Sequence, residues 1–517
     1  MINQGFSFRK VALAAVAATF AMLMAQSCGS QGDEVSRFIP EDALWVARVD
    51  AGSILTKAEA LTADGSLSYP AAVTEALSWG DTFSHRIAST LPQSGLRFDS
   101  DWYLFNSGLP FAVEFLAPIA DSGATERWIS SLTGASQMTR GKSFRSIYDD
   151  RTLYAISGDA LYVGLAQRGD EKDVTAAAEK LLGGGSGKSI TDNPAAMEPL
   201  MKEADITLYA SIEAIGKTLQ SDMSLRMDNP VLVLLAGLGI SAVSGTATIG
   251  ESLDFDIEIT AKEESLYKTM CANLLSDPSP EYLDIIPADM PTVVAVSVVG
   301  KKLLLIDQVN DLLNLRYSMP IISEIDFSKI LATVDGPVVV GISPDPHFMG
   351  VSDYIIAFSS KNQETVLAEI ARVAHRYGQS PAPNAKGERV YNYMNQRIAV
   401  GTRGDKFVYV KMLDNPYSDT SLSADEDVAA LLGRSKMGLY SRVGDNAAQA
   451  EVVIGALSGT KILGKVRQLN PEGGNILTAF IALLCQMEGG DRSFVGTSDG
   501  YESDYGGFEP IDELSGF

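Results

Sequence analysis

Apolar and polar residues alternate with a period of two over Ile240–Ile249 and Leu253–Thr260, which predicts a hairpin of half-buried strands turning at Gly250-Glu251. Similar reasoning predicts strands around Trp102–Phe105, Phe111–Pro118, Ile206–Ile212, Val338–Ile342, Asp353–Phe358 and Met437–Arg442. Ser146–Ser157 with Ala160–Leu165, and Arg389–Thr402 with Lys406–Leu413, read as hairpins turning at Gly158-Asp159 and Gly404-Asp405. Helical periodicity predicts helices at Ser53–Thr62, Pro70–Ser78, Thr125–Leu132, Asp173–Leu182, Pro194–Ala204, Lys262–Leu275, Lys301–Leu315, Gln363–Tyr377 and Asp425–Leu432.

Two stretches head this series. Phe38–Asp50 (FIPEDALWVARVD) returns in altered form at Ile285–Val299 (IIPADMPTVVAVSVV), each placing Ile-Pro-x-Asp before a β-branched run. Proline fixes its own φ and holds the preceding Ile extended, and the Asp can accept hydrogen bonds from nearby amides, so the unit is a device for entering a strand. The motif recurs after 247 residues, the Gly-Asp turn after 246, Arg-x-x-Asn-Pro (from Arg226 and Arg467) after 241, and Leu208-Tyr209 after 231. Four landmarks in one order predict an internal duplication. The expected class is α+β, two related copies, each an antiparallel sheet with hairpins covered by helices. The copies are expected at residues 38–280 and 281–490, joined by the linker Ser276-Asp-Pro-Ser-Pro280, with the second lacking the last strand pair of the first. An apolar segment, Ile476–Met487, completes the second copy, as Val231–Gly239 follows Arg-x-x-Asn-Pro in the first, and in place of the missing strand pair stands a Gly/Ser/acidic tail, 491–517, expected to be disordered.

The N-terminus changes the picture from fold to address. Arg9-Lys10 precede a short apolar run, Val11–Ala25, as in a secretory signal over residues 1–27, too short for a confident membrane span. The run ends Ala25-Gln26-Ser27-Cys28, which resembles a bacterial lipobox; Gln26 and the absence of Leu three residues before the Cys depart from the strictest form. An ordinary cleaved signal is the competing reading. With a lipobox, Cys28 becomes the acylated N-terminus, and residues 28–37 form a tether on which the protein is anchored without spanning. Gln31-Gly-Asp-Glu34 in that tether resembles the acidic export signals of Bacteroidetes-type surface lipoproteins, although a plain flexible linker explains it equally. The chain carries 65 acidic against 41 basic residues, a formal net charge of -24, which argues against nucleic acid and against a polybasic membrane contact. Cys271 and Cys485 lie in apolar helix-like contexts and read as buried thiols, with a disulfide left open.

Chemistry is thinly marked. Gly183–Ser189 (GGGSGKS) lacks the first P-loop glycine, having Leu182 there, and follows a helix, so it reads as a connector. Gly237-x-Gly239-x-x-Ala242 leads into a strand, and Gly496-Thr-Ser498-Asp-Gly500 lies in the tail, so neither has the context of a dinucleotide fingerprint or a nucleophile elbow. Arg403-Gly-Asp405 sits where a hairpin turn is expected, and Arg168-Gly-Asp170 only repeats its spelling. His85, His347 and His375 have no ligand-spaced partners on their own elements. Asp254, Asp256 and Glu258 share one strand face and read as its solvated side. No catalytic residue, cofactor or metal is assigned. The remaining pointer is aromatic. Tyr391, Tyr393, Tyr409 and Tyr417 lie on or near one hairpin, and Phe144, Tyr148, Tyr154 and Tyr162 near the other. Of these, Tyr391, Tyr393, Tyr409, Tyr148 and Tyr162 are the candidate ligand contacts, because tyrosine combines apolar area with a polar tip; core or cross-strand packing is the competing reading.

The lipobox and tether, then Ile39-Pro40-x-Asp42 and the strand ending at Asp50 with Leu55 and Lys57 after it, resemble an uncharacterised lipoprotein family of the Bacteroidales, domain of unknown function 4836. The resemblance implies a cell-envelope location and carries over no activity. The expectation is therefore an outer-membrane lipoprotein, lipid-anchored on the periplasmic or cell-surface side. It would be a non-enzymatic module binding an envelope protein or glycan. The alternative is a hydrolase of an extracellular polymer using a carboxylate pair that sequence separation hides.

Overall fold

The computed structural model of the protein describes residues 35–469 except 63–64, 71–73, 75–82, 109, 168, 184–186, 222–229, 307–308, 310–323, 345–350, 394–395, 413–416 and 444–448. The described residues form a mixture of helices and one antiparallel sheet of 19 strands. The first ten strands are β1 (Trp45–Asp50), β2 (Asp101–Asn106), β3 (Phe111–Pro118), β4 (Thr139–Arg140), β5 (Arg145–Asp149), β6 (Thr152–Ser157), β7 (Ala160–Ala166), β8 (Ile206–Ala210), β9 (Ile240–Ile249) and β10 (Ser252–Ala261). They pair in the order β4-β5-β6-β7-β3-β2-β1-β8-β9-β10.

The later strands are β11 (Thr292–Val299), β12 (Val334–Pro344), β13 (Val351–Ser360), β14 (Arg389–Tyr393), β15 (Gln396–Arg403), β16 (Phe407–Met412), β17 (Met437–Val443), β18 (Ala450–Ala456) and β19 (Lys461–Gln468). They pair in the order β14-β15-β16-β13-β12-β11-β17-β18-β19. The two sets meet where β10 pairs with β19, Phe255 opposite Gly464. The expectation of two separate sheets is thus replaced by a single continuous one. The expectation that the later part has no strand pair after Met437–Arg442 is also corrected, since the hairpin β18–β19 follows β17. Arg467 lies inside β19, whereas Pro230 opens a helix ahead of β9, so the Arg-x-x-Asn-Pro spelling does not mark equivalent places.

Helices cover the sheet on both sides. In the first part they are α1 (Ala51–Lys57), α2 (Phe83–Thr90), α3 (Ser122–Thr133), α4 (Glu171–Leu182) and α5 (Pro194–Leu200). The helices α6 (Ile212–Ser221), α7 (Pro230–Gly237) and α8 (Leu266–Leu274) follow. Later come α9 (Gly300–Leu303), α10 (Phe327–Leu331), α11 (Gln363–Arg376) and α12 (Glu426–Leu432). Capping is explicit in sequence: Asp50, Asp121, Asp170, Asn362 and Asp425 accept first-turn amides of α1, α3, α4, α11 and α12. One core lies between the first strands and α1, α2 and α3, with Ile54, Trp102 and Ile129; a second lies on the opposite face, with Phe105, Tyr162 and Leu200. A third, with Tyr282, Val339 and Tyr440, packs under α12.

Both Ile-Pro-x-Asp stretches dock alike. Ile39 and Ile286 are fully buried, and their carbonyls accept the amides of Ile190 and Leu422 at 2.8 Å each. Pro40 and Pro287 form isolated bridges to Ser189 and Ser421. Asp289 accepts the amide of Ser418, 129 residues further along the chain, so it ties its stretch to a distant loop where the strand-entry reading expects a neighbouring amide. The Ser276–Pro280 stretch is held in place, with Leu275 bridged to Val298 and the Ser276 amide donating to Ser297 O.

Both Gly-Asp hairpin turns occur, with Gly158 and Gly404 at φ +57 and +58. Ser146–Ser157 is two strands, β5 and β6, because Asp150 and Arg151 turn the chain in the left-handed region. At the far edge, the outward backbone groups of Asn392 in β14, and those of Glu388 just before it, are met locally. The Asn392 amide donates to Gln379 Oε1 at 2.8 Å and its carbonyl accepts the Gln379 side-chain amide, while the Asn384 backbone and side chain bond Glu388.

Candidate functional site

The junction strands place a cleft of about 350 Å³ on one face of the sheet. Register builds it: Asp254 faces Lys465, Asp256 faces Leu463, and Lys465 and Arg467 face Val453 and Glu451, so β9, β10, β19 and β18 supply the floor. Helix α12 forms one wall, and Gly455 lets it approach, because a Cβ there would overlap Ser435 Oγ and press on Leu431. The carboxylates Asp254 and Asp256, read as a solvated strand face, are part of this floor.

The charges are mostly paired. Lys465 Nζ lies 2.9 Å from Asp427 Oδ2, which holds the Asp427 carboxyl below and the Lys465 amine above their ordinary ranges. Arg467 reaches Asp425, the cap of α12, and its Nε lies 2.6 Å from Oε1 of the buried Glu451, whose other oxygen accepts the Tyr440 hydroxyl at 3.0 Å. Lys461 pairs with Asp256 at 3.1 Å. These bonds tie α12 to the sheet. Arg434, exposed at the cleft, has no carboxylate partner among the described residues.

A second polar centre closes the end of β1. Asp50 and Asp101 are cross-strand partners, and burial first, then the Asp101 charge, raises the Asp50 carboxyl to about 7. All three carboxylates here are engaged in holding the fold. Asp50 caps α1, Asp101 lies 3.8 Å from Arg48, and Asp205 accepts Ser53 Oγ and Lys57 Nζ. Together they lock α1 to the sheet.

The tyrosines are placed differently from a ligand-binding surface. Tyr162 is fully buried, edge-on to Phe111, and its hydroxyl donates to Glu114 Oε1 at 3.0 Å. Tyr391 is 8% exposed on β14; Tyr148 is half-buried against the core; Tyr409 lies over Gly401 and donates to Glu388. Cross-strand packing, with aromatic rings over glycine, accounts for them. The Tyr393 side chain, Cys28, His347, Cys485 and Gly496–Gly500 lie outside the described residues. Cys271 is a half-buried free thiol, and no group of three or more potential ligands for a metal occurs among the described residues. No helix of the described residues is long and apolar enough to cross a membrane.

Glu114 stands beside Tyr162 with no cationic partner among the described residues. It accepts the Ser107 amide at 2.6 Å, yet burial raises its carboxyl from 4.5 to about 7. A raised carboxyl costs nothing below its unfolded value and destabilises the fold increasingly from pH 4.5 to about 7, so Glu114 lowers stability at alkaline pH. Glu114→Gln accepts the Ser107 amide with its carbonyl oxygen and turns its NH2 group to donate to the Tyr162 oxygen. It is expected to gain up to about 3 kcal/mol relative to the parent at pH 8 and little at pH 4.5, measured by urea unfolding across pH.

No protein-family model matches the chain, and no curated protein matches it. Among solved structures, crystal form III of TP0453 aligns with a TM-score of 0.30 at 10% identity, over 47% of this chain and 88% of that one. Crystal form IV of TP0453 gives 0.26 at 11%, over 42% and 76%. The DNA polymerase III beta subunit of Thermotoga maritima gives 0.11 at 10%, over 72% and 85%. Likeness at this level carries no functional argument.

Proposed function

We propose that the protein is a lipid-anchored outer-membrane lipoprotein, facing the periplasm or the cell surface, and that its body is a binding module built from two related copies. The copies would be the two sets of strands. The order β5-β6-β7-β3-β2-β1-β8-β9-β10 matches β14-β15-β16-β13-β12-β11-β17-β18-β19 strand for strand along the chain. The matched docking of Ile39-Pro40 and Ile286-Pro287 supports the same reading.

The observation that carries the binding role is the junction cleft. It is lined from both sets of strands, with paired charges on its floor and the unpaired guanidinium of Arg434 beside them. A shaped recess with a few fixed polar groups suits recognition. The carboxylates that hydrolysis would call on, Asp50, Asp101 and Glu451, are occupied with capping and ion pairing.

Cys28→Ser is expected to abolish incorporation of labelled palmitate; retained label would remove the anchor. A pull-down from native membranes is expected to lose its specific captures when Arg434→Glu reverses the free charge. Identical captures from both forms would remove the cleft as the binding site.

A further inference from the structure

The face of the sheet opposite the cleft is apolar across seven strands. One transverse row runs Phe255, Gly464, Ile454, Leu439, Val294, Val340, Ile356, each the register partner of the next. The neighbouring row is Ile257, Ile462, Ala456, Met437, Val296, Val338, Phe358. Near β1 the same sheet buries its apolar residues under α1, α2 and α3. Among the described residues the cover lies at one end, where α10 and α11 place Ile330, Leu331 and Val366 in one cluster with Phe358, Val338 and Val298. Val294, Met437 and Ile356 remain 43%, 40% and 37% exposed. A contiguous apolar patch of this kind marks a docking surface.

We propose that this face is the seat of the chain's own run Ile476–Met487. The described chain ends just beyond β19, the second of these seven strands, whose Ile462 and Val466 lie on this face. Residues 470–475 reach about 20 Å when extended, enough to return over the neighbouring strands. The twelve residues ILTAFIALLCQM contain no charge, whereas residues 310–323 carry Asp311 and Arg316. As a helix the run would be about 18 Å long, roughly the width of four strands, and it is too short to span a bilayer. The acidic tail from Asp491 would then leave the face toward solvent.

Cys485 lies within the run and provides the probe. In the full-length Cys271→Ser chain, Val294→Cys is expected to form an intramolecular disulfide with Cys485 under mild oxidation. The yield should be about tenfold above that of Asp254→Cys on the opposite face, because a disulfide demands close Cα atoms. Equal yields from the two faces, or no bond to Cys485, overturn the proposal. So does a bond formed only between molecules, which would give the face to a second copy. Should these variants fail to fold, a chain ending at Leu469 is expected to bind an apolar fluorescent dye several-fold more strongly than the full chain while still melting cooperatively; unchanged dye binding also overturns it.

Discussion

Asp205→Ala is expected to destabilise the protein by about 3–5 kcal/mol, read as a lowered urea midpoint with α1 losing hydrogen-exchange protection first. The carboxylate is 2% exposed and takes three kinds of donor: Ser53 Oγ at 2.6 Å, Lys57 Nζ at 2.7 Å and the Ile249 amide. Ser53 and Lys57 belong to α1, whereas Ile249 ends β9, so one side chain holds a helix and two strands in register. Its loss leaves a buried amide unpaired, a cost that water does not relieve. The contrast with Lys57→Met separates the causes. Lys57 is 39% exposed, and its loss leaves the Asp205 carboxylate with the Ser53 hydroxyl and the Ile249 amide still bonded to it, so it should cost less than Asp205→Ala, which also strands that amide. If the two variants lose the same stability, the Ile249 amide is not the decisive group.

Gly95→Ala is the second large effect expected, about 3 kcal/mol or more. Gly95 sits at φ +71, and a Cβ on it would overlap the Asp121 carbonyl and lie 2.8 Å from Ala124 Cβ. Its own carbonyl accepts the amides of Ala120 and Asp121, so the residue cannot move away without opening the start of α3. Gly134, at the other end of α3, has φ +72 and open space around it. Gly134→Ala should therefore cost about 1 kcal/mol, the conformational part alone. Thermal unfolding of the pair reads the steric share directly. Equal losses would show that backbone conformation, and not the crowding at Asp121, sets the cost.

Local rules suffice where the signal lies within one element. Alternation alone bounds Ile240–Ile249, and Gly158-Asp159 and Gly404-Asp405 are legible because glycine supplies the positive φ that a tight hairpin needs. The turn at Asp150-Arg151 is not, since two ordinary residues carry the same backbone there. The strands β18 and β19 escape notice because neither alternates: Val452-Val453-Ile454 and Ile462-Leu463 are continuous apolar runs, each followed by a glycine, Gly455 or Gly464, that is explained only by Leu431 and Phe255 from elsewhere in the chain.

The cleft is out of reach for the same reason. Alternation assigns Asp254 and Asp256 to the right side of β10, but pairing between β10 and β19 joins residues some two hundred positions apart, and no periodicity encodes it. The tyrosines mislead in the opposite sense. Tyr162 and Tyr409 lie on strands as expected, yet period alone does not distinguish a residue facing water from one facing Glu114 or Glu388.

The edge of β14 bears on how copies of this molecule behave at high local concentration. A sheet this long would offer an unpaired strand as a template for the next molecule. At Asn392 the Gln379 amide group already occupies the place of an incoming peptide, and Asn384 does so at Glu388. Side chains thus act as a built-in chain terminator: strand-by-strand growth stops at the boundary of each molecule, and neighbours can crowd together without fusing into a shared fibre.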